Sequence, residues 1–307
     1  MTLSELTPDQ VRSQLASDQG LNIKTGPFSL NIHSTVTSVA DNILGMYQDY
    51  GLVDDSCFID FHVAIKKPKN LRCFIKPQVQ FYFDGIPPFK PLPFDQAFPM
   101  LEWGLNLCVS STANQFLIIH AAVIEKDGAA IILPGPSGSG KSTLCATLIN
   151  SGWRLLSDEL TLISCENGMV YPLGRPVSLK NQSINIIKNR FPETSFTPVT
   201  KDTAKGTVAH MQAPTDSVLN SDNPAPAKFV IFPKYIPSSE AKLTEVSKGQ
   251  QFMKLIENSF NYSLLGEKGF MVMSQMMRQC RCFDFSYSSL DDAIKVFNNL
   301  SDNRPHE

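Results

Sequence analysis

Gly135-Pro136-Ser137-Gly138-Ser139-Gly140-Lys141-Ser142 is the stretch on which the fold of this chain turns. It fills every fixed position of G-x-x-x-x-G-K-[S/T]. The apolar run 129–133 precedes it and reads as a strand. Residues 142–150 follow with Leu144, Leu148 and Ile149 spaced for one helix face, and Ser151-Gly152 as a stop. Strand, glycine-rich loop and helix in that order form a cradle for phosphates. Glycines let backbone N–H groups turn inward in conformations costly for other residues. The helix start adds the positive end of its dipole. Lys141 supplies a mobile ammonium for the outer phosphates, and the Ser142 hydroxyl is a Mg²⁺ ligand. Gly135 through Thr143 are therefore the expected nucleotide contacts, with ATP and Mg²⁺ as the expected ligands.

The next strand, 153–156, ends at Ser157-Asp158-Glu159. Strands of an open α/β sheet present their C-terminal ends on the ligand-binding rim, so both acids belong near the phosphates. Asp158 is assigned the proton of an attacking hydroxyl, and Glu159 the metal side. His120 stands inside the apolar strand 116–124. The tight turn Lys126-Asp127-Gly128 folds that strand back against the loop's own strand, which sets His120 alongside the start or middle of the latter. Arg175, Lys180, Lys205 and His210 lie in polar segments without an evident core role. They are candidate phosphate or substrate contacts, since a transferring phosphoryl group gains from added cations. Lys205-Gly206-Thr207 reads as a second anion-holding turn.

Outward from this centre the patterns are plainer. Residues 1–20 read as a polar helix or a frayed arm, 28–32 as a strand, and 35–50 as a helix capped by Thr37 or Ser38. Strands are expected at 57–65, 72–75 and 78–83, a turn at Asp84-Gly85, and a proline-rich connector at 86–93. Residues 95–111 read as an apolar helix, 160–164 and 169–171 as a hairpin, and 229–232 as a buried strand. Residues 252–260 and 289–300 read as helices, and 214–227 as a mobile loop. A boundary near Ala113 divides a small α+β domain, 1–113, from a catalytic domain, 114–307.

The 307 residues are 42% hydrophobic and 18% charged, with a formal net charge of -2. That composition supports a packed core and argues against nucleic acid as a partner. No apolar run reaches a membrane-spanning length and the N-terminus lacks a secretion signal, so a cytoplasmic protein is expected. Seven scattered cysteines fit reduced core positions.

His120-Ala121-Ala122-Val123, the turn at Lys126-Asp127-Gly128, the loop from Pro134 to Leu144 and Gly152-Trp153-Arg154-Leu155-Leu156-Ser157-Asp158-Glu159-Leu160 come in an order that resembles the HPr kinase/phosphorylase family. The pattern is most similar to HprK-related kinase A. Arg175-Pro176-Val177-Ser178-Leu179-Lys180-Asn181 and Lys205-Gly206-Thr207-Val208-Ala209-His210 extend the likeness. It runs over residues 95–300, with Glu159 where HPr kinases carry Asp.

The resemblance implies an α/β P-loop kinase core of the HPr kinase/phosphoenolpyruvate-carboxykinase type, with a mixed sheet. It also implies transfer of the γ-phosphate of ATP to a serine hydroxyl of a small protein or peptide. Lys141 would hold phosphates, Ser142 would hold Mg²⁺, Asp158 would be the base, and His120 the family's active-site histidine. The implied partner is a small PqqD-like neighbour, and a homo-oligomer is admitted. The contrasting expectation is a nucleotide-switched binding module with little turnover; a small-molecule kinase is a near variant of the first reading, and a plain hydrolysing NTPase is a third class.

Overall fold

The computed structural model describes residues 1–68, 75–136 and 138–302. The expected strand 72–75, Ser137 and Cys73 fall wholly or largely outside them. Within the chain there are two compact units: Met1–Val109 with Arg175–Leu219, and Ser110–Gly174 with Asn220–Glu307. This grouping differs from a contiguous division at Ala113, because 175–219 joins the first unit. The architecture is mixed α/β with several sheets.

The first unit holds a five-stranded sheet in the order Leu21–Thr25, Phe28–Ser34, Phe61–Lys66, Gln78–Phe83, Leu92–Pro93. Its second and third strands are parallel, and the helix Thr37–Met46 makes the crossover. Alternation sends Ile23, Leu30, Ile32, Val63, Ile65 and Phe81 into the core. Residues 1–20 are no frayed arm: Thr7 caps the helix Pro8–Ala16, whose Val11 and Leu15 are buried. The helix expected at 35–50 is shorter. Val36 is its N-cap and makes no side-chain cap bond, so neither Thr37 nor Ser38 has that role. The segment 214–227 is more ordered than a mobile loop: it contains the helix Thr215–Leu219, and Ala225 bridges to Val170.

Arg175–Leu219 contributes a three-stranded sheet, Val177–Lys180, Gly206–Met211, Thr200–Thr203, and the helix Gln182–Arg190. A buried polar network stands beside it. The Tyr47 hydroxyl donates to Glu102 Oε1 at 2.5 Å, and Arg175 Nη1 donates to Glu102 Oε2 at 3.4 Å. Arg175 also donates to Asn106. Glu102 and Arg175 are 4% and 8% exposed, so each charge depends on the other for compensation. Burial, and then Glu102, push the Tyr47 phenol well above its ordinary pKa.

The second unit is built on an eight-stranded sheet. Its order is Val170–Tyr171, Leu160–Ser164, Phe116–Lys126, Ala129–Pro134, Ala227–Tyr235, Arg281–Tyr287, Lys242–Glu245, with Arg154–Ser157 also paired to Phe116–Lys126. Ala129–Pro134, Ala227–Tyr235 and Arg281–Tyr287 are parallel and end on one rim. Leu117, Ile119, Ala121, Val123, Ala130 and Ile132 pack under Met273, Met276 and Met277 of the helix Glu267–Gln279. The alternate residues Ile118, Ala122, Ile124, Ile131 and Leu133 are equally buried on the other face. Burial on both faces explains the near-continuous apolar runs. Cys280 and Cys282 lie in this core as free thiols, and burial pushes Cys280 up to about 12.

Removing one partner of the Arg175–Glu102 pair strands the other. Glu102→Ala is expected to cost about 3–5 kcal/mol. The paired replacement Glu102→Leu with Arg175→Met is expected to recover most of that loss. Urea denaturation followed by tryptophan fluorescence measures both.

Candidate functional site

One strand, Phe116–Lys126, sets the geometry of the site. Its turn has Asp127 and Gly128 at φ 50° and 76°, the conformation a two-residue hairpin needs. Pairing begins at Lys126↔Ala129 and runs to Ala121↔Pro134. His120 is therefore level with the first residue of the glycine loop, at the end of the loop's strand and not at its start or middle. The opposite edge of the same strand carries two short strands in succession. Ser157 pairs with Val123, and Leu160 pairs with His120. Asp158-Glu159 occupies the break between those pairings. Register alone thus brings loop, acid pair and His120 to one stretch of strand, residues 120–123.

The loop is poised for an anion. Gly135, Gly138 and Gly140 take φ 150°, 85° and 93°. The last two lie in the left-handed region that glycine alone adopts without cost. Gly140 precedes the helix Lys141–Ile149, so the helix's first N–H groups face the loop. A Cβ on Gly140 would meet Tyr287 Oη at 2.5 Å and Tyr235 Cβ at 3.2 Å. Tyr287 in turn donates to Gly140 O at 3.1 Å, and burial raises its phenol pKa. Lys141 is 6% exposed and donates to Gly135 O at 3.0 Å, which folds its ammonium back over the loop. Ser139 Oγ is buried in the loop without a hydrogen-bond partner among the described residues. An entering phosphate oxygen would satisfy it.

Ser142 Oγ donates to Asp158 Oδ2 at 3.5 Å, a long contact that puts the acid on the loop side of the sheet. Asp158 is 6% exposed and Glu159 is half-buried. The carboxylate that meets this hydroxyl is that of Asp158, the acid to which the sequence reading assigns the proton of the acceptor. Burial holds the Cys145 thiol, one turn into the helix, well above its ordinary pKa. The Asp158 carboxylate raises it further and Lys141 lowers it, so both charges bear on one point. A hydroxyl and a carboxylate suit a hard cation such as Mg²⁺, which completes its shell with phosphate oxygens and water. No group of three His, Cys, Asp or Glu side chains able to hold a metal occurs among the described residues, and a phosphate-bound Mg²⁺ needs none.

His120 is the one residue of Phe116–Glu125 that is not fully buried. Its N–H donates to Asn258 O at 2.7 Å, and its ring lies 5.9 Å from that of Phe260. Its parity puts it on the face opposite the Met273 core.

The four distal candidates belong to the other compact unit. Arg175 is the buried partner of Glu102. His210 is 1% exposed, with its ring edge-on to Phe98 at 5.3 Å. Both side chains are buried in packing contacts. Lys205 stands over the Trp103 ring at 5.2 Å, in the turn that the sequence suggested as an anion nest. Lys180 ends its strand, where its backbone exchanges hydrogen bonds with Ser183.

Sequence reasoning missed a cavity of about 620 Å³ on the side of the loop away from Asp158. Its walls are the loop, Phe232–Tyr235 and Asp284–Ser286, together with Lys242, Thr244 and Lys254. It is assembled by pairing of strands distant in sequence, parallel for Ala227–Tyr235 with Arg281–Tyr287 and antiparallel for Lys242–Glu245.

Comparison with known proteins bears on this part of the chain. Residues 96–175 match the family described as SynChlorMet cassette protein ScmC. HPr kinase/phosphorylase from two strains of Treponema pallidum is 42% identical over 52 residues. That stretch is 17% of this chain and 16% of each relative. The chain therefore carries a segment similar to HPr kinase/phosphorylase and matches a small part of those proteins' length. The solved Hpr(Ser) kinase/phosphatase from Coxiella burnetii aligns with 61% of this chain and 99% of its own, at 12% identity and a TM-score of 0.27.

Gly140→Ala combines a left-handed φ with a collision against Tyr287 Oη. It is expected to cost about 1–2 kcal/mol from backbone strain alone, read as a fall in thermal midpoint. Tyr287→Phe alone gives up a bond worth about 1 kcal/mol. Because the phenylalanine also removes the colliding atom, the double variant is expected to lose less than the two single losses combined.

Proposed function

We propose that this protein is an ATP-dependent phosphotransferase of the HPr-kinase-like kind, akin to HprK-related kinase A. In this reading it moves the γ-phosphate to a serine-type hydroxyl on a small protein or peptide. The observation that carries the reading is the approach of Asp158 to Ser142 at 3.5 Å, on the loop whose Lys141 reaches back to Gly135. A phosphate cradle alone serves binding. A carboxylate beside it, together with His120 at the same level of the sheet, equips the site for transfer. The segment similar to HPr kinase/phosphorylase supports the same class.

The chemistry is an in-line displacement at the γ phosphorus. The acceptor oxygen forms a bond to phosphorus as the bond to the β–γ bridging oxygen breaks, leaving ADP. Asp158 orients the acceptor hydroxyl and takes its proton. Lys141 and the loop N–H groups bear on the charge of the outer phosphates. Ser142 and Glu159 would hold Mg²⁺, which offsets phosphate charge when bound. His120 faces the same rim and contacts the incoming group. The acceptor is expected to be a small PqqD-like neighbour, in the cytoplasm.

The test is transfer from γ-labelled ATP to candidate acceptors, alongside ATP binding by calorimetry. Asp158→Asn is expected to lower the transfer rate on the order of 10²–10⁴-fold while ATP binding persists. Lys141→Ala is expected to weaken binding itself. ATP that alters partner affinity without any phosphoryl transfer would sink the kinase reading in favour of a nucleotide-switched binding module.

A further inference from the structure

The first compact unit carries a polar hollow that the glycine-loop site does not use. Its five-stranded sheet sends Leu30, Ile32, Val63, Ile65, Val79 and Phe81 to the core. The alternate residues of the same strands therefore form the opposite face. Register decides which of them are neighbours there. Ala64 pairs with His33 on one side and with Tyr82 on the other. His62 and Lys66 stand two residues before and after Ala64 on its own strand, so they share its face. One small side chain is thus framed by four large ones. The result is a hollow of about 300 Å³ whose lining includes all five residues, with Gly85 at the turn beyond.

The chemistry of this frame is one-sided. Lys66 brings an ammonium, Tyr82 a phenol, and His33 and His62 two imidazoles, while no carboxylate belongs to the lining. Asp84, next to Gly85 in the turn, lies outside it. His62 and Lys66 are exposed, and His33 and Tyr82 are half-buried. Both imidazoles are anchored from behind. His33 Nδ1 lies 3.1 Å from Ser17 O, a carbonyl that can only accept, so this nitrogen carries the ring proton and His33 is a fixed wall. Asn31 Nδ2 donates to Gln19 O and to Asn22 Oδ1, each at 2.7 Å, which leaves Asn31 Oδ1 to accept from His62 Nδ1 at 3.4 Å. The Nε2 of His62 is then its remaining site, and a second proton there turns it into a cationic N–H donor. Lys66, Tyr82 and His62 are all able to donate to one anion above Ala64. The volume is at the small end for ligand pockets and suits a compact group.

We propose that this hollow is a binding site for a phosphate group, with Lys66, Tyr82 and protonated His62 donating to its oxygens and His33 closing the fourth side. The group could arrive as inorganic phosphate or as phosphoserine within a peptide, since both offer the same tetrahedral oxygens. The assignment goes beyond the transfer reading and does not depend on it, because every residue belongs to the unit without the glycine loop.

NMR of the full chain with ¹³C-labelled histidine reads this hollow separately from the loop. Inorganic phosphate and a phosphoserine peptide are each expected to shift the His62 ring signals saturably, and sodium chloride at equal ionic strength is expected to leave them in place. Lys66→Met and Tyr82→Phe are each expected to raise the phosphate concentration at half-saturation, by about tenfold or more for the lysine. Both variants are expected to keep the thermal midpoint and the affinity for MgATP. Tighter binding of the phosphopeptide than of phosphate identifies a modified residue as the ligand, and equal binding identifies the free ion. Shifts that never saturate, equal shifts with chloride, or saturation unchanged in Lys66→Met overturn the assignment and leave the loop reading standing. Loss of MgATP binding in the unsubstituted chain, with the His62 shifts intact, does the reverse.

Discussion

The edges of Phe116–Lys126 are the constraint on which the second unit depends. Each backbone group along it must find a partner, because the strand is buried on both faces and water cannot reach it. One edge is filled first by Ala129–Pro134 and then, beyond Ala121, by Asn258, Ser259 and Phe260. The other edge takes Arg154–Ser157 and then Leu160–Ser164. The glycine loop departs where the first pairing stops. The acid pair falls where the second is interrupted. Both breaks occur at residues 120–123, so the functional groups gather where the ladder cannot continue.

Local contacts then sharpen what register places. Tyr287 holds the carbonyl of Gly140, Lys141 reaches back to Gly135, and Ser157 Oγ accepts from Leu160 N as the chain passes the acids. Thr161 donates to Ala121 O and ties the same turn to the central strand. These are short-range bonds within a packed sheet, and they keep the loop and carboxylate from drifting before any ligand arrives. A preorganised set of donors and charges does not have to be rearranged during transfer, which is the physical advantage of building a site on strand ends.

Two of the distal candidates share one trait. Arg175 and His210 are polar side chains in segments rich in proline and glycine, where surface is the ordinary expectation. Both are buried, Arg175 against Glu102 on a helix 73 positions away and His210 edge-on to Phe98.

Local backbone chemistry alone marked out the strand–loop–helix cradle, the turn at Asp127-Gly128 and the acid pair: a continuous apolar run, glycine at positive φ, and a helix start. Counting pairs back from that turn would also have set His120 level with Gly135. Long-range packing is what sets Asp158 by Ser142, joins Arg175–Leu219 to Met1–Val109 and opens a cavity beside the loop. Those outcomes depend on pairings such as Ala227–Tyr235 with Arg281–Tyr287. Long-range parallel pairing leaves no periodic mark in either segment, since strands buried on both faces read alike wherever they are placed.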